Sequence, residues 1–374
     1  MMSHRPGPAV EIRRLDTDAG PVPVLVELGE PAAGEPRLGP SIGEYPVYDT
    51  ALYATMTQDA ARNELFRAAL AALCPGRRVL DLGTGADLLW AVESHRAGAR
   101  HVDAVEVIEQ SYRAADRVRA GLAHPAAITL HHGTSTELAL PDRVDVCVGE
   151  VIGSLAGAEG AAAVMADVRE RLLTADGVIV PHRAVSLAAG ASLRQLLGGR
   201  TIAFAPSTVP YLAGVFAAGG GPHDVRLRVT DPAAAALLTD HAEVESLDFN
   251  GNLRTTQEHE VSLTVRRPGV LDGLLTWLRL WCVAGGPELD ALATRTNWAS
   301  VFFPLFDEEI AVAVGDRLDV RLHVRPGEDG LHPDYLVTAR LTTAAGTHEG
   351  RLASRHRGSA FRASRIHRDL FPVE

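Results

Sequence analysis

At Pro181 the hydrophobic rhythm of this sequence changes, and that change constrains the fold more than any other feature. Before it, short apolar runs alternate with stretches of helical period. A helix whose face carries Leu65, Phe66, Ala69, Leu70 and Leu73 is stopped by Pro75-Gly76. A strand over 78–82 follows, then a glycine-bearing turn, a helix to about Ala97, a strand over 101–106 and a helix over 110–122. Strands at 128–131, 144–148 and 178–180, with a helix over 161–173, complete the series. Such alternation predicts a mostly parallel sheet covered on both faces. Beyond Pro181, period-two stretches at 225–229, 259–265, 310–314 and 335–341 predict an antiparallel β-rich domain, sandwich or barrel. The expected organisation is a Pro-rich N-terminal extension over 1–40 with one strand at 22–28, an α/β domain over 41–182, and a β domain over 183–374. Residues 203–222, with glycines at 219–221, fit neither rhythm and read as an excursion.

Composition narrows the function classes. The length of 374 residues suits two domains, and 46% hydrophobic residues argue for packed cores. A net charge of -11 argues against nucleic-acid binding, which needs a basic face, and suits a cationic substrate. Cys74, Cys147 and Cys282 form no metal spacing and suit a reducing compartment. The histidines make no metal-ligand pattern with acids, so no metal is expected. There is no apolar run of about twenty residues and no signal-peptide core. The expectation is a soluble cytoplasmic protein without a membrane partner.

Chemistry concentrates at two loops. In Val79-Leu80-Asp81-Leu82-Gly83-Thr84-Gly85-Ala86 a strand runs into glycines that let a ligand approach the backbone at the carboxyl end of the sheet. A dinucleotide fingerprint would place a third glycine at Leu88, so a nicotinamide cofactor is disfavoured, and S-adenosylmethionine, which has no pyrophosphate, fits better. Glu106 ends the next strand about twenty residues on, where a carboxylate can accept both ribose hydroxyls. The second loop follows the strand over 144–148: Glu150 and Glu159 bracket small residues. Paired carboxylates suit a guanidinium, whose planar fork presents five donors. They would localise its charge away from one nitrogen and hold that nitrogen in line for attack. Equally, Glu159 could merely cap the helix that begins nearby.

Taken in order, these segments resemble the protein arginine methyltransferases. Residues 56–67, MTQDAARNELFR, are similar to that family's helix before the core, and 144–153, VDVCVGEVIG, with Glu159, to its double-glutamate loop. Residues 172–183 resemble the end of its nucleotide domain, and Thr296-Asn297-Trp298 its Thr-His-Trp loop. The resemblance implies a Rossmann-like methyltransferase domain followed by an antiparallel β-barrel, with S-adenosylmethionine as cofactor. Met56, Arg62, Asp81, Gly83, Gly85, Glu106, Thr136 and Glu150 are implied to contact that cofactor. Glu150 and Glu159 are implied to be catalytic, and Tyr53, Asn297 and Trp298 to bind the acceptor. A homodimer is implied too, with 203–222 as the candidate arm. Three departures stand out. Asp87 replaces a glycine, Asn297 replaces the barrel histidine, and Val151, Ser154, Gly157 and Ala158 are small where the family is bulky. The expected activity is methyl transfer to a guanidinium nitrogen of a peptide or protein. The alternatives are a small guanidine, amide or amine metabolite or a peptide natural product as acceptor, and a noncatalytic cofactor-binding scaffold.

Overall fold

The computed structural model describes residues 9–18, 20–41, 56–218, 224–358 and 360–372. Five parallel strands form the first sheet, in the spatial order Ile128–His132, His101–Glu106, Arg78–Leu82, Val144–Gly149, Leu173–Val180. Helices Ala60–Leu73, Leu89–Arg96, Glu109–Ala120 and Ala161–Arg171 accompany it. Val79, Leu80, Val102, Ala104, Val146 and Val148 are fully buried, which explains the near-continuous apolar runs of these strands. The chain reverses direction across the sheet between Arg78–Leu82 and Val144–Gly149. A crevice opens at such a switch point, beyond the carboxyl ends of the two strands, and both loops singled out in the sequence emerge there.

The second half is antiparallel. One sheet runs Leu237–Asp248, Arg183–Ala191, Gly273–Trp281, Ser300–Pro304, Arg226–Thr230, Arg37–Ser41, and a second runs Gln257–Thr264, Arg317–Pro326, Pro333–Thr343, Gly346–Ser354. Leu275, Phe302, Phe303, Leu318, Leu322, Tyr335 and Leu341 fill a shared core. The molecule is thus a Rossmann-like α/β domain joined to an antiparallel β-barrel. Strands Arg183–Ala191 and Gly273–Trp281 escaped the period-two pattern because nearly every residue in them is buried, so neither face turns polar.

The N-terminal segment carries three strands where one was expected. Val10–Leu15 pairs with Val22–Glu27, and Arg37–Ser41 joins the barrel sheet beside Arg226–Thr230. Val24, Val26 and Leu38 are buried in the barrel core, and that burial holds a segment of weak intrinsic pattern. Within the excursion, helix Val209–Ala218 buries Leu212, Val215 and Phe216 in the same core, with Phe216 against Phe371. Residues 219–222 of that excursion lie outside the described residues. Among the described residues no helix is long and apolar enough to cross a membrane.

Candidate active site

A cleft at the switch point is lined by Met56, Thr57, Arg62, Gly83, Gly85 and Trp90, and by Glu106, Glu150, Glu159 and Asn297. Its floor is the glycine loop. Gly83 and Gly85 both adopt φ of 68°, a left-handed conformation that favours glycine. A Cβ on Gly83 would stand 3.5 Å from Val151, so the two loops already touch there. Leu88, where a third glycine would stand in a dinucleotide loop, is also left-handed, with φ 54° and ψ 32°. Its side chain is wholly buried, and that packing holds a conformation costing a leucine about 1–2 kcal/mol.

Glu106 is nearly buried at one end of the cleft. Its Oε2 accepts from the Gly85 amide at 2.9 Å and its Oε1 from the Ile108 amide at 2.8 Å. The Val107 amide also bonds this carboxylate, so of its about four lone-pair sites about one is left for a ligand hydroxyl. Burial pushes the Glu106 carboxyl above its ordinary range, against the pull of those amides. Beside it Val107 is 57% exposed, an apolar side chain held open at the rim.

The opposite end is cationic and anionic together. Arg62 is buried and donates from Nη1 to Glu150 Oε2 at 2.5 Å, from Nη2 to the Met56 carbonyl at 2.7 Å, and from Nε to Asn63 Oδ1 at 3.1 Å. Its guanidinium lies 5.6 Å from the Trp90 ring centroid, and Trp90 stacks on Phe66 at 4.8 Å. Burial raises the Glu150 carboxyl to about 7, although Arg62 pulls the other way. Glu159, half-buried, faces the same cleft across the loop. Asp87 lies at the mouth and accepts from the Thr57 hydroxyl at 2.7 Å, so its carboxylate is tied to the segment before the first helix.

The remaining site candidates are placed less directly. Asp81 is wholly buried behind the glycine loop and does not line the cleft. It accepts from the Thr84 hydroxyl at 2.5 Å and the Ala91 amide at 2.7 Å, so it shapes the loop rather than facing a ligand. Thr136 is exposed, with its hydroxyl 3.1 Å from that of Thr134, and is not brought into the cleft. Trp298 is 1% exposed and donates from Nε1 to the Ile152 carbonyl at 2.7 Å, so it pins the double-glutamate loop from behind. Tyr53 lies outside the described residues. Asn297 does line the cleft, and its buried Oδ1 has no hydrogen-bond partner among the described residues.

Asp59, Asn63 and Trp90 escaped sequence reasoning because their roles are supportive. Asp59 caps helix Ala60–Leu73 by accepting from the Arg62 amide at 3.1 Å, and its other oxygen accepts from the Asn297 amide at 2.8 Å. An aspartate before a helix is a legible cap signal, but the second bond spans the two domains. Asp59→Ala is expected to lower stability by about 1–2 kcal/mol through loss of the cap and the bridge. Urea unfolding of the variant measures this, and an unchanged midpoint would refute the bridging role.

A second cluster lies in the barrel, where Asp329 Oδ2 is 2.6 Å from His332 Nδ1 and 3.6 Å from His356 Nε2. The two imidazoles stack 4.2 Å apart with 10° between their planes, and one ligand atom from each of the three residues lies within 4.8 Å of the others, a His–Asp cluster that the spacing of the sequence did not signal.

No protein-family model matches the chain. Protein arginine N-methyltransferase 7 of Drosophila mojavensis is 28% identical over 272 residues, covering 66% of this chain and 38% of its own length. Protein arginine N-methyltransferase 9 of Homo sapiens is 24% identical, covering 67% of this chain and 34% of its own length. The chain therefore spans little more than a third of these curated relatives. Among solved structures, Arabidopsis thaliana protein arginine methyltransferase 10 in an open conformation superposes with a TM-score of 0.65 at 18% identity, covering 81% of this chain and 97% of that one. A Trypanosoma brucei enzyme–prozyme heterotetramer with S-adenosylhomocysteine gives 0.66 at 20% identity, covering 81% and 98%. In sequence the chain is similar to the curated protein arginine N-methyltransferases, and in fold to the solved structures of that type.

Proposed function

We propose that this chain is an S-adenosylmethionine-dependent N-methyltransferase acting on a guanidinium nitrogen of a peptide or protein. The observation that carries this reading is the cleft itself, which sets Glu106 at one end and Arg62, Glu150 and Glu159 at the other, with glycine backbone between them. That donor set fits the cofactor. Glu106 retains acceptor capacity for a ribose hydroxyl, and Arg62 offers a cation to a carboxylate. Gly83 and Gly85 would allow close approach, and Met56 and Thr57 would close the same end.

When bound, the cofactor supplies an electrophilic methyl on a sulfonium. Glu150 and Glu159 orient the acceptor guanidinium by charge-assisted hydrogen bonds and keep its positive charge away from the attacking nitrogen. The nitrogen then releases its proton late, to a carboxylate or water. Asn297 Oδ1 offers a further acceptor for a guanidinium N–H.

The test is transfer of labelled methyl to arginine-containing peptides and to a pool of small guanidines and amines. Glu106→Ala is expected to weaken cofactor binding by about 10–100-fold, in line with the loss of a buried charged acceptor. Calorimetric titration with S-adenosylhomocysteine reads this, and unaltered affinity would remove Glu106 from the site. Label only on small amines would replace the peptide acceptor.

The same proposal includes a homodimer in the cytoplasm, without a nucleic-acid or membrane partner. The net charge of -11 supports the absence of a nucleic-acid partner and the three free, buried cysteines the compartment, whereas the dimer rests on the resemblance and on an oligomeric structural neighbour. Sedimentation velocity at micromolar concentration tests the dimer, and a single monomeric boundary would remove it.

A further inference from the structure

The loop between Glu150 and Glu159 has neither helix nor strand, yet it must hold two carboxylates in a fixed relation. Trp298 pins its near limb through the Ile152 carbonyl. The far limb rests on something the methyl-transfer chemistry does not use.

Under it lies Glu245, 1% exposed, in barrel strand Leu237–Asp248 and in register with Ser186 of Arg183–Ala191. Ser186 Oγ accepts from the Ala156 amide at 2.9 Å and donates to Glu245 Oε2 at 2.6 Å. The Tyr335 hydroxyl donates to Oε1 at 3.0 Å, and the Gly157 amide donates to the same carboxylate. A methyl group on Gly157 would stand 2.6 Å from Oε1, so the loop backbone lies directly on the acid. Arg226 sits 5.1 Å from the Tyr335 ring centroid and adds positive charge to the cluster.

A buried carboxylate is expensive unless several donors converge on it. Here two hydroxyls and a loop amide do so, and a second loop amide reaches it through Ser186. Glutamine at this position would have one acceptor oxygen and would turn an NH2 group toward one of these donors.

We infer that Glu245, with Ser186 and Tyr335, is a positioning group that sets residues 156–157 and through them the placement of Glu159. The inference rests on the double-glutamate reading above for its catalytic consequence. Its structural part stands without that reading.

The test uses Glu245→Gln, Ser186→Ala and the double variant in the full chain. Hydrogen exchange of peptides covering 151–159 is expected to accelerate at least about tenfold in each, while peptides covering 83–88 keep wild-type protection. Affinity for S-adenosylhomocysteine should stay within about twofold, kcat should fall about 10–100-fold with a raised acceptor KM, and the two substitutions should be non-additive. Should Glu245→Gln fail to fold, Tyr335→Phe removes one donor and keeps the charge, with a smaller effect in the same direction. Wild-type exchange in 151–159, or equal loss of protection in both regions, overturns the inference. If the wild-type chain transfers no methyl group, the exchange result still decides the anchor, and only the proposed function falls.

Discussion

Glu150→Gln should lower kcat for methyl transfer by about 100- to 1000-fold while S-adenosylhomocysteine still binds. The substitution keeps the side chain's shape and removes the charge that the proposed function turns toward the acceptor. Loss of one preorganised electrostatic partner in a water-poor site costs about 3–4 kcal/mol in the transition state. Arg62 would lose its ion-pair partner but keep its bonds to Asn63 and the Met56 carbonyl, so the cofactor end should hold its form. Single-turnover transfer and calorimetric binding on the same preparation check both halves. Undiminished turnover would take Glu150 out of the chemistry. Wild-type activity should rise with pH through about 7, as burial holds this carboxyl protonated below that point. The same shift fixes a sign for stability. The native carboxyl titrates near 7 against an ordinary 4.5, so between those values the native state binds more protons and stability falls as pH rises. Glu150→Gln deletes that titration and should flatten the decline.

Arg62→Met should be the most destabilising of the changes considered. It strands Glu150 in a site from which water is largely excluded, since the side chains of the pair are 3% and 12% exposed. Breaking one member of a buried pair costs about 3–5 kcal/mol, whereas removing both costs less. The double variant Arg62→Met with Glu150→Gln should therefore unfold at a higher temperature than Arg62→Met alone. Without its cation Glu150 is driven further toward the protonated form, so the single variant should regain stability as pH falls below 7. Thermal unfolding of both variants at pH 5.5 and pH 8 would show this. A single variant no less stable than the double one would mean that water reaches Glu150 freely. Cofactor affinity should fall about 10- to 100-fold in either, through loss of a charge-assisted bond.

What was legible in the chain is what is encoded locally. The glycine loop, Glu106 at a strand end and the acids after Val144–Gly149 each declare themselves within a few residues, and parallel-sheet topology brings them to one crevice. Arg62 was found through the resemblance of residues 56–67 to the family's helix before the core, but its clamp was not, because Trp90 and Glu150 reach it from other elements. Asp59 could be read as a cap, whereas its bond to Asn297 joins residues 238 apart. Trp298 was expected at the acceptor and lies instead behind the loop. An indole with one buried face and a donor to place satisfies both needs there. Glu245 carried no signal at all, since an acid in a barrel strand looks solvent-facing until the register with Ser186 is known. The N-terminal segment was underestimated for a related reason. Its strands are stabilised by residues nearly two hundred positions away, among them Arg226–Thr230 and Phe204.

The order in which the supports of the double-glutamate loop occur along the chain has a consequence for synthesis. The parallel sheet is complete in sequence at Val180, yet Ser186, Glu245, Trp298 and Tyr335 all follow it. A chain still on the ribosome therefore possesses the cofactor half long before it possesses the means to arrange its glutamates. The supports of residues 151–159 arrive only with the later strands, so a chain that ends before Tyr335 lacks the hydroxyl that completes the cluster around Glu245.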